Sequence, residues 1–409
     1  TDPPMRLAPG AAETLGALRP TSRLILVTKG DAAFQRSKLA RSGLEPLFDD
    51  CLVLAEKDEA AYRQLIRDKR LDPAATWMVG NSPRSDINPA IAAGLQAIDL
   101  AGIRKDQLSP LAAPVALLGQ LQPAIAAQMG IPVNTPVVMG SSDAVNSSIG
   151  AGAVGPAQAT LMVGTSGALR VVSPRPVLDP KARSWCYAID ETHWLVGGAI
   201  NNGGVALSWL RDCLNQAHAG PPLTFEGLLA LASRAPAGSR GLVCLPFFAG
   251  ERSPNWNLNA RAVFFGMSLG HEARHLARAL LEGMAFRFKS LLAVLTEVGL
   301  DVRQIVASGG FTQSELWLQV MADALGRELS VPEWGETSAL AAAFWPFLSM
   351  GGAASISEIR NWVQFSRIQQ PVPEHAAAYD RIYPLYTELY RSLTGAFDEV
   401  ARLQQEMEM

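Results

Sequence analysis

Residues Thr135–Val154 read TPVVMGSSDAVNSSIGAGAV, and Ala159–Val172 follow as ATLMVGTSGALRVV. An apolar run ends in Gly-Ser-Ser, a helix-like stretch begins at Asp143, and two strand-like runs then flank Gly164-Thr165-Ser166-Gly167. Gly and Ser between two apolar, β-rich runs predict a tight hairpin. Successive backbone N–H groups in such a turn can make an anion-binding nest, and Thr165 adds a hydroxyl donor. Asp143 has two readings from position alone: a helix N-cap, or a carboxylate acting as general base. Further along, Gly203 and Gly204 open a helix (GGVALSWLRDCL), and a glycine-rich helix N-terminus suits a phosphate. The run QIVAS precedes Gly309 and Gly310 and a helix containing Ser314. Long amphipathic helices are expected from about Glu272 to Val298 and from about Ala376 to Leu403.

The first hundred residues alternate differently. The runs LILVT, CLVLA and TWMVG are separated by the helix patterns DAAFQRSKLARSG and EAAYRQLIRDK, which argues for a parallel sheet covered by helices. In such sheets functional groups collect beyond the strand C-termini, where Thr28, Lys57, Asn81 and Asp86 fall. The Pro-, Ala- and Gln-rich stretch from Ile103 to Pro136 reads as a boundary with a short helix.

A chain of 409 residues exceeds one compact core and implies two or three domains. With a formal net charge of -3 and no basic run, no nucleic-acid partner is expected, and a small molecule is the expected ligand. The four dispersed cysteines make no CxxC pair and read as cytoplasmic thiols. TDPPMRLAPG lacks the charged-then-apolar order of a signal peptide. The uncharged stretch from Thr337 to Ser357 is interrupted by Pro346, Gly351 and Gly352, and suits a buried helix rather than a membrane span.

LILVTKGD, the Lys57 of AEKDEA and MVGNSPRSDINPAIAAG resemble three motifs of the haloacid-dehalogenase-like (HAD) phosphatases. That resemblance implies phosphate contacts from Thr28 and Lys57, with Asn81 in the last motif and Asp86 toward magnesium. The family's nucleophilic aspartate sits in a DxD pair on an earlier strand. Only Asp2 and Glu13 precede Thr28 as acidic residues, and neither forms such a pair. Without it no aspartyl-phosphate can form, so a partial, inactive HAD-like (Rossmannoid) parallel-sheet segment is expected over residues 1–100.

Residues 101–409 resemble the C-terminal, ATP-binding half of the FGGY carbohydrate kinases, most closely gluconate-kinase-like members. Seven blocks carry the likeness in order: AGIRKDQLSPL, TPVVMGSSDAVNSSIGAGAV, LMVGTSGALR, GGAINNGGVALSWLRD, LPFFAGERSPNWN, HLARALLEGMAF and ASGGFTQSELWLQVMADALG. The resemblance implies an α/β domain of the actin and ribonuclease-H-like ATPase fold, with ATP and Mg2+ as cofactors. Asp143 then takes the proton of a sugar hydroxyl and meets Mg2+, in part through water. Gly164, Thr165, Ser166, Gly203 and Gly204 face the ATP phosphates; Gly309, Gly310 and Ser314 face the adenosine. Ala262 and Ala341 stand where glycine is common in the family, both at sites that read as structural. The family's N-terminal domain, with its phosphate loop and most sugar contacts, is not in this sequence.

The implied activity is transfer of the ATP γ-phosphate to a sugar or sugar-acid hydroxyl, gluconate first. The alternatives are a truncated or fused nucleotide-binding protein without catalysis and, behind it, a HAD phosphatase. A homodimer is among the assemblies left open. Two further motifs compete. His271-Glu272-Ala273-Arg274-His275 spells HExxH, for which Glu297 could be proposed as a third zinc ligand. Gly150, Gly152 and Gly155 spell GxGxxG, but in a helix-to-strand context opposite to that of a dinucleotide fingerprint.

Overall fold

A computed structural model of the chain describes residues 10–30, 32–54, 56–80, 82–99, 112–216 and 220–407. The chain separates into two units, Thr1–Leu111 and Ala112–Met409.

In the first unit the alternation expected from the sequence is present. Its order is α1 (Ala11–Leu18), β1 (Ile25–Lys29), α2 (Ala32–Ser42), β2 (Asp50–Leu54), α3 (Glu59–Lys69), β3 (Trp77–Gly80), α4 (Asn88–Ala92) and β4 (Gln96–Asp99). The expected single sheet is instead two parallel pairs, β1–β2 and β3–β4, because no described strand bridges β1 and β3. Tyr62 and Leu65 of α3 form a small core with Ala90, Ala93 and Leu95, and Val27, Leu52 and Met78 pack on it from three strands. Asp58 starts α3 by accepting the Ala61 N–H at 2.8 Å, an N-cap of the usual kind.

The second unit begins with β5 (Leu117–Gln120), α5 (Pro123–Met129), β6 (Pro136–Val138) and α6 (Asp143–Gly150). It continues with β7 (Gln158–Val163), β8 (Gly167–Ser173), β9 (Trp185–Ala188), β10 (Trp194–Ile200), α7 (Gly204–Gln216) and α8 (Phe225–Ala232). Then come β11 (Val243–Leu245), β12 (Val263–Phe265), α9 (Ala273–Glu297), β13 (Gln304–Ser308) and α10 (Glu315–Leu325). It closes with β14 (Leu329–Pro332), α11 (Thr337–Ser349), β15 (Phe365–Gln369) and α12 (Pro373–Met407). A seven-stranded sheet in the order β15-β14-β13-β7-β8-β10-β9 is its spine. β14, β13 and β7 run parallel, while β7, β8, β10 and β9 alternate in direction.

Helices cover both faces. Val145, Ile149, Phe344 and Trp345 from α6 and α11 bury one face with Val172 and Leu195. The other face meets a larger core from α7 to α10 and α12. α9 was expected to be amphipathic, yet every residue from Ala277 to Phe288 is buried. A helix enclosed on all sides belongs at the centre of a core. Its charges are paired: Arg278 Nε to Glu282 Oε1 at 2.8 Å, and Arg287 Nε to Glu251 Oε2 at 2.9 Å. α11 occupies most of the uncharged stretch noted in the sequence, and no described helix is long and apolar enough to cross a membrane.

Candidate active site

β7, β13 and β10 end on the same edge of the sheet, because β13 is parallel to β7 and both β7 and β10 pair antiparallel with β8. Three glycine turns therefore gather there: Gly164–Gly167 after β7, Gly203–Gly204 after β10 and Gly309–Gly310 after β13. α6 runs against this direction. Its Ser148 carbonyl, near the helix C-terminus, accepts the Thr160 hydroxyl of β7 at 3.4 Å. The N-terminus of α6, and Asp143 with it, thus lies toward the edge that carries the turns. The order of the sheet, not the spacing in sequence, brings these four segments together.

Asp143 is the first helical residue, one position inside the cap. Ser142 is the N-cap and accepts the Val145 N–H at 3.4 Å. The capping duty is therefore met by Ser142, and the Asp143 carboxylate stays exposed, with Oδ1 accepting, among the described residues, only the adjacent Ala144 N–H at 2.7 Å.

The Gly164–Gly167 hairpin forms as expected, closing with Gly164 N–H to Ser166 O at 2.8 Å, and Thr165 is exposed at its tip. Gly203 and Gly204 do open α7, but their N–H groups are already engaged. Gly203 donates to Thr165 O at 3.0 Å and Gly204 to Gly164 O at 2.8 Å. A Cβ on Gly203 would stand 2.7 Å from Gly164 O and 2.8 Å from Ser166 O. These glycines let α7 pack against the hairpin, rather than leaving free donors for a phosphate. Gly309, at φ 95, would put a Cβ 2.5 Å from Val163 O, so the turn after β13 tolerates no side chain there. Ser314 caps α10 by accepting the Trp317 N–H at 3.2 Å.

A ligand could approach these turns. A Cβ built on Gly164 or Gly310 meets nothing within 4 Å, so both face open space. Among the described residues no group of three or more His, Cys, Asp or Glu could hold a metal. Asp143 as a lone carboxylate suits Mg2+, which is held mainly by phosphates and water.

Sequence reasoning missed Arg170. It lies on β8, a strand buried along its whole length, and donates from Nη1 to Ser147 Oγ at 3.2 Å. Ser147 is one helical turn from Asp143 and shares its face of α6. Burial lowers the Arg170 pKa, and the Asp143 carboxylate pulls it back up. The available signal was an arginine inside an otherwise apolar strand pattern.

In the first unit, Lys57 and Asp86 come together, Nζ to Oδ1 at 2.7 Å, both largely buried. Gly80 permits this approach, since a Cβ there would stand 2.4 Å from Asp86 Cβ. Thr28, on the other strand pair, bonds to Gln35 at 3.3 Å instead, and Asn81 lies outside the described residues. The zinc motif is put to structural use. His275 Nδ1 accepts the Glu272 N–H at 3.0 Å in a capping box, and His271 Nδ1 accepts the Ser268 N–H at 2.9 Å. Glu297 is at the far end of α9, about 33 Å along the axis from His275 at 1.5 Å per residue. It is paired with Arg183 at 2.7 Å.

Residues 159–347 match the FGGY family of carbohydrate kinases, C-terminal domain. The crystal structure of xylulose kinase from Rhodospirillum rubrum superposes with a TM-score of 0.63 at 30% identity, over 83% of this chain and 72% of that one. The chain belongs to the FGGY family. Gluconate kinase from Lactobacillus acidophilus gives a TM-score of 0.69 at 33% identity, covering 73% of this chain and 60% of its own. The gluconokinase of Bacillus licheniformis is 35% identical over 318 residues, which is 76% of this chain. This FGGY chain spans 62% of that relative's length. Residues 4–94 match the haloacid dehalogenase-like hydrolases. The actin and ribonuclease-H-like architecture expected for an FGGY domain is thus the fold of the second unit.

Proposed function

We propose that the chain is an ATP-dependent carbohydrate kinase acting on a sugar acid, with gluconate the first candidate and Asp143 as general base. The observation that carries this reading is the exposed carboxylate of Asp143 at the edge where the three glycine turns converge. Phosphoryl transfer asks a protein chiefly for positioning and charge neutralisation, with a base for the attacking hydroxyl. Asp143 supplies that base and would accept the hydroxyl proton as the oxygen attacks the γ-phosphate. The exposed Thr165 hydroxyl at the hairpin tip, with Ser166 beside it and no side chain in the way at Gly164, would receive the phosphates. Gly309 and Gly310 would let the adenosine lie against the backbone, with Ser314 beside it. Bound Mg2+ would neutralise phosphate charge, held on this chain by Asp143 in part through water. Gly203 and Gly204 would act by fixing the phosphate turn. The gluconate preference draws on the two gluconate kinases among the relatives.

Residues 1–100 and 101–409 are taken as the two domains, supported by their separate cores. A cytoplasmic location is supported by four free cysteines. Thr28, Lys57, Asn81 and Asp86 are read as a remnant without phosphatase activity, since the lysine charge is spent on Asp86.

A second reading is nucleotide binding without transfer, which uses the three glycine turns and asks nothing of Asp143. ATP consumption with and without gluconate, run beside Asp143→Asn, separates the two. Gluconate-dependent turnover that falls about 100- to 10,000-fold in the variant supports the kinase. ATP binding without turnover on a panel of sugars and polyols supports the second reading.

A further inference from the structure

Next to Asp143 the second unit carries an arrangement that neither ATP nor Mg2+ needs. Arg170 and Val172 share a face of β8, and Val172 packs into the core under α6. Gly197 of β10 pairs with Arg170 on one side and with Trp185 of β9 on the other. A Cβ on Gly197 would stand 3.2 Å from Arg170 Cγ, so this glycine opens the lane along which the arginine reaches across β10. The guanidinium ends 6.0 Å from the centroid of the Trp185 ring. Trp185 is stacked on Tyr187, with centroids 4.4 Å apart and planes 4° from parallel, and Tyr187 is exposed on the edge strand.

Arg170 is 8% exposed, and its only side-chain hydrogen bond among the described residues is the one to Ser147. Its Nε has no partner, nor has the Nε of Arg252, whose Nη2 donates to Ile200 O at 3.2 Å. Asp143, Tyr187 and Arg252 are the charged or titratable groups acting on Arg170. Arg170 thus feels one carboxylate and a second guanidinium, and its own charge is only partly matched. A buried arginine with donors to spare is the usual receptor for an oxyanion.

We propose that Arg170, with Trp185 beside its guanidinium, binds the carboxylate of an acyclic sugar acid whose far hydroxyl lies at Asp143. This rests on the kinase reading for the role of Asp143. The i to i+4 offset from Asp143 to Ser147 is about 6 Å along α6, comparable to the reach of a short polyhydroxy acid. A nucleotide phosphate offers the same oxyanion chemistry. The two sources differ in what Arg170→Met would cost, gluconate binding in one case and ATP binding in the other.

Calorimetric titration of the full chain with gluconate, the neutral polyol glucitol, and ATP tests this. Wild type should bind gluconate at least about tenfold tighter than glucitol. Arg170→Met should weaken gluconate about tenfold or more and leave glucitol and ATP within about twofold; ten- and twofold are about 1.4 and 0.4 kcal/mol. Arg170→Lys keeps the charge without the forked donors, should weaken gluconate while leaving glucitol and ATP within about twofold, and stands in if Arg170→Met does not fold. Equal affinity of wild type for the acid and the polyol overturns the proposal, as does an Arg170→Met loss confined to ATP. Gluconate binding without phosphoryl transfer would sink the kinase reading and keep the subsite. Gluconate phosphorylation with the acid preference intact in Arg170→Met would do the reverse.

Discussion

Gly309 shows how tightly single residues set the nucleotide edge. Its φ of 95 and the 2.5 Å approach of a Cβ to Val163 O mean that Gly309→Ala must displace the turn after β13. We expect a loss of about 1–3 kcal/mol of stability, read by urea denaturation, together with weaker ATP binding. His275 makes a different prediction. Burial holds its pKa below 6.5, so the imidazole is kept neutral while it caps α9. A depressed folded pKa contributes stability above the unfolded pKa, and that stability is lost as pH falls from about 6.5. His275→Gln keeps a capping-box partner that does not titrate, so its Tm should fall less than wild type between pH 7.5 and 5.5. Asp143 was legible as a residue at a helix start, because Ser-Ser-Asp after an apolar run is a strong boundary signal. That Ser142 rather than Asp143 takes the capping bond was not legible, since either side chain can serve. Arg170 escaped because its meaning depends on Gly197 and Trp185, which become its neighbours only when β8, β10 and β9 pair.

At the scale of elements, α9 carries most of the fold's polar risk. Arg287 and Glu251 are almost completely buried and hold each other at 2.9 Å, tying the central helix to the loop after β11. Arg287→Met would strand the Glu251 carboxylate, and we expect about 3–5 kcal/mol of destabilisation. The double variant Arg287→Met/Glu251→Gln should recover part of it, measured as Tm. The length of α9 was legible within a residue at each end from periodicity and from the Gly270 before it. Its burial was not. Arg278, Glu282 and Arg287 look like a solvated stripe until Tyr379 of α12 closes over the first two, at 2.6 Å and 3.0 Å. The glycines opening α7 gave a similar lesson. Sequence marks a helix start, but only the fold reveals that the hairpin carbonyls take up its donors.

For the whole molecule, the strand–helix alternation of the first hundred residues was legible, whereas its division into two parallel pairs and the mixed strand directions of the second unit's sheet were not. The separate cores around Tyr62 and around α9 predict two unfolding transitions in calorimetry, the smaller from the first unit. A single transition would show that the units unfold together. The sheet order was beyond the sequence, because β7 pairs with both its hairpin partner β8 and the distant β13. That pairing gathers Thr165 and Gly309 at one edge, and the packing of α6 on β7 turns Asp143 toward it. The proposal that this edge transfers phosphate with Asp143 as base is tested by ATP γ-phosphate transfer to gluconate. Wild type should show gluconate-dependent transfer, and Asp143→Asn should bind ATP normally while losing about 100-fold or more of that rate. Transfer at the wild-type rate in Asp143→Asn, or normal ATP binding by wild type with no transfer to gluconate, would contradict it.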